Sequence, residues 1–513
     1  MNQLFQRKSV ADCENDIAER GGLRRTLNKW HLTALGVGAT IGAGIFATTG
    51  TAIVGDALRP GAGPAIIFSF LLTAVACGFA ALCYAEFASM VPIAGSAYTY
   101  AYASLGELVA WIIGWDLIIE YAVGNIGVAI GWSGYFRELL THFGVTLPAW
   151  LGTDYRTAFD AVRSVAGGAT GPSVTYLASA VADAPRLFGI PIIFNLPAFL
   201  VVMVITWVLV RGIKESANTN NAMVILKIVI ILFFIGVGAF LIKPENWTNP
   251  STGGFAPNGF AGISAGAAII FFSYIGFDAV STAAEEAKDP GRDMPFGIIM
   301  SLVICTVLYI ALSVVMTGVA PWQTLGTAEP MITALQHAEG SAGLLSFSRF
   351  IVALGAVIAM GSVLLVFQLG QPRIFFSMAR DGLLPPFIAK VHPKYKTPHV
   401  GTIITGIFVG VVAAFANIAE VVDLTNIGTL FAFVLVSVGV IVLRYKEPER
   451  HRPFRVPFVP WTPLISIGAC IYLMAFLPRI TWIRFGIWLL VGLAFYWLYG
   501  WTHSRLRKRA EES

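Results

Sequence analysis

The sequence predicts an all-α membrane protein with twelve transmembrane helices. Of its 513 residues, 56% are hydrophobic and 12% charged, where a soluble globular chain carries roughly 25% charge. A mean hydropathy of +0.74 leaves more apolar surface than a soluble core hides, and a disordered chain needs the opposite balance. The apolar residues fall in runs near the ~20 residues needed to cross ~30 Å of hydrocarbon, and most lysines and arginines fall on one side of them.

In chain order, residues 1–30 are polar and charged and read as a cytoplasmic N-terminal segment without a cleavable secretory signal. Apolar runs follow at roughly 31–57, 64–91, 97–140, 191–211, 218–243, 259–286, 295–320, 343–376, 399–417, 421–444, 457–478 and 481–501. The third and eighth exceed a simple crossing, so each is expected to continue as helix beyond the membrane or to include a tilted extension. The longest connection, 141–190, is rich in Gly, Ala, Ser and Thr, an external loop with room for a short amphipathic helix. Residues 502–513 form a cytoplasmic tail.

Counting with the N-terminus inside, 24 of the 34 lysines and arginines lie in inside segments, nine in outside segments, and Lys227 within a run. This bias predicts both termini in the cytoplasm. It also accounts for the net charge of +5 as a topology signal, with no nucleic-acid partner. Of the five cysteines, Cys77, Cys83, Cys305 and Cys470 lie in apolar runs, where a free thiol behaves as a small hydrophobe; Cys13 precedes them. None forms a CxxC pair, so neither a disulfide framework nor a zinc site follows.

The chemistry that is missing narrows the function. No histidine lies mid-run, and no two have metal-ligand spacing. There is no phosphate-binding G-x-x-x-x-G-K-[ST] loop, no G-x-S-x-G and no H-E-x-x-H. The expectation is no catalytic residue, no metal and no cofactor, and a carrier driven by an ion or substrate gradient in place of an ATP motor or enzyme.

Two segments depart from uniform helix. The first run reads Gly38-Ala39-Thr40-Ile41-Gly42-Ala43-Gly44-Ile45-Phe46, with Gly36 just before it. Glycine costs about 1 kcal/mol relative to alanine in a helix, but leaves helical dihedrals freely. One reading is close helix packing through small residues. The other is a break at Gly42-Ala43-Gly44 whose N–H groups bind an anion. The sixth run, Phe271-Phe272-Ser273-Tyr274-Ile275-Gly276-Phe277-Asp278, also holds an Ile-Gly pair amid small polar residues. If the first ten runs divide into five plus five, these two occupy equivalent positions. Matched interruptions there point to a substrate site at the bilayer midplane, the only kind of place where irregular backbone is tolerated at that depth.

With these motifs the sequence resembles the amino acid–polyamine–organocation superfamily, in its cationic amino acid transporter branch and that branch's bacterial homologues. The resemblance spans about residues 25–500. It rests on GATIGAGIF (38–46), ALCYAEFASMVPIAGSAYTY (81–100), FFSYIGFDAVSTAAEE (271–286), RIFFSMARDGLLP (373–385) and LTNIGTLFAF (424–433). It implies a five-plus-five inverted repeat with broken helices 1 and 6: residues 31–243 as the first repeat, 259–444 as the second, and helices 11 and 12 over 457–501. It assigns the substrate carboxylate to backbone N–H groups at Gly42, Ala43 and Gly44, in the segment that includes Ile41. The α-ammonium goes to carbonyls at Thr40, Phe272, Ser273 and Ile275. Dipole sense agrees, since a helix N-terminus favours an anion and a C-terminus a cation. Thr40 stands where a bulky aliphatic residue is common, a departure of little weight if the carbonyl does the binding.

Two ionisable residues stand out. Lys227 lies about ten residues into its run, roughly 15 Å of helical rise, so its side chain covers only part of the distance to the edge. By the resemblance it fills the place of sodium in sodium-coupled relatives, between the first and eighth helices near the Ala39–Gly42 carbonyls, and couples protons. Glu120, a mid-run acid, is a functional candidate by default; it is read as a gate or as a structural hydrogen-bonding acid. Glu86, Asp278, Glu285 and Glu286 are expected as packing or gate contacts near helix ends. The expected function is a multi-pass inner- or plasma-membrane amino acid permease, a proton symporter of neutral or cationic L-amino acids working by alternating access. Its partners are amino acid, protons and lipid. An exchanger without net proton coupling is the nearest alternative; a channel, membrane enzyme or receptor is further off.

Overall fold

The structure, a computed structural model, describes residues 25–90, 96–168, 172–212, 217–395 and 397–507. The expected cytoplasmic segment up to residue 24 with Cys13, residues 91–95 of the second motif, the last six residues of the tail and the Glu285 side chain lie outside that description.

Among the described residues, nine helices are long and apolar enough to cross a membrane: α1 (Lys29–Val54), α2 (Gly63–Met90), α3 (Glu107–His142), α5 (Asn221–Ala239), α6 (Gly259–Ala284), α7 (Pro290–Val319), α8 (Ala342–Arg380), α10 (Ile418–Lys446) and α12 (Arg479–Arg507). Three shorter apolar helices stand where the fourth, ninth and eleventh runs were expected: α4 (Leu196–Arg211), α9 (His399–Phe415) and α11 (Trp461–Ala475). The strands are two short hairpins, Gly55–Asp56 with Arg59–Pro60 and Arg186–Leu187 with Ile190–Pro191. The chain is thus an all-α membrane protein.

The third run does not continue as one helix. Gly106, at φ +102°, turns the chain between a helix over Ser96–Ser104 and α3, a backbone region glycine enters without steric cost. The eighth run does extend, as a single helix of 39 residues. The external loop carries two helices, Tyr155–Ala166 and Pro172–Asp183, around a small core of Ala149, Ala158, Ala180, Ala184 and Ile193.

Packing follows a regular scheme. α2 lies against α7, α3 against α8 and α4 against α9. The first half of α1 lies along the second half of α6, and its second half along the first half of α6. The chain before α1 is tied to the end of α6: Thr26 and Leu27 donate their N–H groups to the Glu286 carbonyl at 2.9 Å, and the Lys288 N–H returns to the Leu27 carbonyl at 2.8 Å. Four cysteines are free and buried.

At one end of the bundle, Glu86 of α2 is enclosed by Arg444 (2.7 and 2.9 Å), Arg452 (3.2 Å) and the Val456 N–H (2.7 Å). Glu107, also fully buried, accepts from the hydroxyls of Tyr102, Tyr496 and Ser504. At the other end Arg59 bridges Asp56 and Asp423, and Arg137 pairs with Glu329 at 3.0 Å. Buried charge needs such partners, because an ion without them costs several kcal/mol.

Candidate functional site

Both glycine-marked segments are interrupted helices. In α1 the regular helix ends at Thr40, and Ile41 turns into extended backbone at ψ 97°. Helix resumes at Ala43, passes through one π-helical stretch over Gly44–Thr48, and continues to Val54. In α6 the α-helix ends at Ile270, a 3-10 turn covers Phe271–Ser273, and Gly276 at φ +117° precedes a 3-10 helix over Phe277–Glu286.

The two interruptions interlock through their glycines. A Cβ on Gly44 would overlap the Ser273 backbone. A Cβ on Gly276 would come within 2.8 Å of the Ala39 carbonyl group and 3.0 Å of the Thr40 nitrogen. Each break thus presses its glycine on the other's backbone, and α1 and α6 cross at the distance only a missing side chain allows.

An interrupted helix leaves carbonyls without helical partners, and inside a membrane these must be met by protein. Four of them are met here by side chains of neighbouring helices. Lys227 of α5 donates its Nζ to the Gly38 carbonyl at 2.5 Å. The Tyr309 hydroxyl of α7 donates to the Thr40 carbonyl at 3.1 Å. The Asn426 amide of α10 donates to the Ala268 and Ile269 carbonyls at 2.8 and 3.2 Å. In the π-helical stretch, the Tyr135 hydroxyl of α3 reaches the Phe46 carbonyl at 2.7 Å.

The eight residues expected at the substrate, Thr40, Ile41, Gly42, Ala43, Gly44, Phe272, Ser273 and Ile275, are all buried, and the two segments that hold them meet where Gly44 lies on Ser273 and Gly276 on Ala39 and Thr40. The hydroxyls of Thr40 and Ser273 are buried without a hydrogen-bond partner among the described residues. Apolar groups wall the space. A Cβ added to Gly42 would stand 3.0 Å from Val363. One on Gly127 would stand 3.3 Å from the Phe272 ring and 3.4 Å from Val421, and one on Gly131 3.0 Å from Ala47 and 3.3 Å from Ala43. None of these wall groups is ionisable.

Lys227 is fully buried, with its Nζ turned into the helix bundle. Its partner is the Gly38 carbonyl, one residue before the expected Ala39–Gly42 stretch, and α5 packs against α1, α7 and α8. Glu120 lies on a π-helical turn of α3, Ile119–Val123, and is buried. It meets Asp278 there, and the buried Thr429 hydroxyl has no hydrogen-bond partner among the described residues. Asp278, expected as a packing or gate contact near a helix end, stands in the first turn of the helix that follows the α6 break, fully buried, with the Gly276 N–H on its Oδ1 at 3.3 Å. Oε2 of Glu120 and Oδ2 of Asp278 have no donor among the described residues. Two carboxylates offer each other only acceptors, so one proton between them would supply the missing bond.

Tyr309 and Asn426 were not singled out by sequence reasoning. A tyrosine inside an apolar helix looks like core, and Asn426, although it sits in the quoted 424–433 motif, shows its role only once α10 is placed beside α6. For Asp278 the signal was available: it follows the Ile-Gly pair by two residues.

Comparison with known proteins gives this geometry its context. Residues 27–497 match the family described as "Amino acid permease". The chain is similar to the branched-chain amino acid permease BcaP of Bacillus subtilis (strain 168), 46% identical over 506 residues, covering 98% of this chain and 99% of the relative. It is 44% identical over 510 residues to the methylthioribose transporter of the same organism, covering 99% and 100%. It is 38% identical over 454 residues to the vacuolar cationic amino acid transporter 4 of Arabidopsis thaliana, covering 88% and 68%. These matches run across both interrupted helices and everything that braces them, and the chain belongs to the amino acid permease family, as a membrane transporter and not an enzyme.

Proposed function

We propose that this permease is a proton-coupled symporter of neutral amino acids, with aliphatic side chains preferred, working by alternating access across the inner or plasma membrane. The observation that carries the reading is the interlock of the two breaks. It brings a helix N-terminal turn at Gly42–Gly44 beside carbonyls at the ends of two half-helices, with Val363, Val421 and the Phe272 ring close by. An N-terminal turn suits a carboxylate and free carbonyls suit an ammonium. The Thr40 carbonyl retains a second lone pair beside its bond from Tyr309. The groups that flank the breaks at Val363, Val421 and Phe272 are apolar, and the acids at the α6 break, Glu120 and Asp278, face each other, which supports the neutral over the cationic part of the expected range. A permease 46% identical is named for branched-chain amino acids.

The architecture in this reading is twelve crossings with both termini inside. The halves are 31–243 and 259–444, and α11 and α12 are added after them. The packing of α1, α2, α3 and α4 on α6, α7, α8 and α9 supports a five-plus-five repeat. Lys227 would hold the first half of α1 through its charge and release it when neutral. The Glu120–Asp278 pair, sharing one proton at the α6 break, is a second place where protonation changes the bonding of a broken helix.

Uptake of labelled leucine into proteoliposomes under an imposed pH gradient tests the proposal. The expected result is accumulation only with an acidic exterior, competed by valine, isoleucine and alanine and weakly by arginine. Accumulation indifferent to the gradient but dependent on internal amino acid would identify an exchanger instead. Uptake competed by methylthioribose and by no amino acid would overturn the substrate class.

A further inference from the structure

The hairpin just before α4 exposes an apolar tip. Leu187 is 59% exposed, Phe188 96%, Ile190 63% and Ile192 39%. Phe188 and Gly189 both take positive φ, 52° and 82°, as a two-residue turn with two left-handed positions requires. A polar or small residue would suit a tip in water better.

Its place in the fold explains the composition. The Phe194 N–H donates to the Trp150 carbonyl at 2.9 Å and the Asn195 N–H to the Ala414 carbonyl at 2.7 Å, which fixes the hairpin over the adjoining ends of α4 and α9. These two helices pack on each other and have only 16 and 17 residues. At 1.5 Å per residue they span about 24 and 26 Å, short of the ~30 Å of a hydrocarbon core. Their exposed faces, with Leu200, Val204 and Phe415, run towards that end. A short span leaves the bilayer thinned or the missing length filled by flanking residues.

We propose that the 186–191 hairpin lies in the membrane interface, its Leu187–Phe188–Ile190 tip against lipid, and completes the apolar belt where α4 and α9 fall short. The occupant of this patch is the bilayer, by continuity with the lipid-facing surface of the two helices it caps. The inference rests on the reading that both helices cross the membrane.

The test uses single fluorescent labels in the full chain, in a Cys13→Ser background, since the other cysteines are buried. An environment-sensitive dye is placed at Phe188→Cys, at Val204→Cys on the exposed face of α4, and at Arg163→Cys on the external helix, in nanodiscs with and without spin-labelled phosphatidylcholine. We expect position 188 to be blue-shifted and quenched by a shallow spin label, position 204 by a deep one, and position 163 by neither. Water-like, unquenched emission at 188 with quenching at 204 would overturn the proposal. Blue-shifted but unquenched emission at 188 would overturn it too, placing protein on the tip. Loss of quenching at 204 would instead refute the crossing of α4.

Discussion

The two interrupted helices meet at one point but are stabilised by opposite means. The α1 break carries no ionisable side chain of its own; its carbonyls are held by groups reaching in from α5 and α7, Lys227 and Tyr309. The α6 break carries its own acid, Asp278, set against a second acid from α3, while an uncharged amide from α10 takes its carbonyls. One break is braced by a cation, the other by two carboxyls that need a proton. The same irregularity thus borders two different kinds of ionisable group, and the difference can be tested by removing either side alone.

The largest effect is expected where both breaks share a contact. Gly44→Val drives a side chain into the Ser273 backbone, and overpacking of this kind costs about 3 kcal/mol or more, enough to lower substrate affinity roughly 100-fold. Leucine binding by the purified variant, measured by calorimetry, checks this; wild-type affinity in a folded protein would remove the carboxylate site from Gly42–Gly44.

Next come the carboxyls. In Glu120→Gln or Asp278→Asn the amide supplies a permanent donor, so the pair stays bonded and folding is retained, but no proton is exchanged. Uptake is expected to fall about tenfold, an effect of ~1.4 kcal/mol, and to lose its pH dependence. Glu86→Gln is the contrasting control. It disrupts a buried ion cluster with Arg444 and Arg452, for which removing one partner costs about 3–5 kcal/mol. It should therefore lower the melting temperature while leaving the pH profile of the surviving protein unchanged. A flattened pH profile in Glu86→Gln with a normal one in Glu120→Gln would reverse the assignment.

Lys227→Met tests the other brace. It keeps the length, removes the charge and leaves the Gly38 carbonyl without its donor, a loss of about 1–3 kcal/mol. Gradient-driven accumulation of leucine should disappear while counterflow exchange persists, because the carboxylate and ammonium contacts lie elsewhere. Unchanged accumulation with wild-type pH dependence would leave Lys227 as a structural plug.

How much of this was legible beforehand differs between the breaks. Gly42-Ala43-Gly44 announced itself because so many glycines in one apolar run are costly unless the backbone needs them. Lys227 announced itself by depth alone. The pairing of Glu120 with Asp278 was not legible, since it depends on where the assembled fold sets the π-helical turn of α3 against the α6 break. No local pattern marks that turn. The ends of α4 and α11 were also not legible: their apolar runs were seen, but the helices begin only at Leu196, capped by Asn195, and at Trp461, after Pro460, while α9 begins at residue 399 as expected. Tyr309 and Asn426 act on carbonyls freed by breaks in other helices, so their role exists only in the assembled fold.

The smallest predicted effect concerns the wall rather than either break. Gly127 of α3 faces Phe272 on one side and Val421 on the other, at 3.3 and 3.4 Å from where a Cβ would sit. Gly127→Ala fits only if those groups give by a few tenths of an ångström, so the space beside the α6 break narrows by about one methyl. One methylene in an apolar site is worth ~1–3 kcal/mol. Because both neighbours are side chains that can shift, the lower value is expected, roughly fivefold in kcat/KM. The loss should fall on leucine and isoleucine and spare alanine, whose side chain ends before the wall. Both breaks, Lys227 and the carboxyl pair are untouched, so the pH dependence of uptake should match wild type for every substrate. Equal loss for alanine and leucine would place the substrate side chain away from Gly127. Selective loss of leucine would fix its direction between α3, α6 and α10.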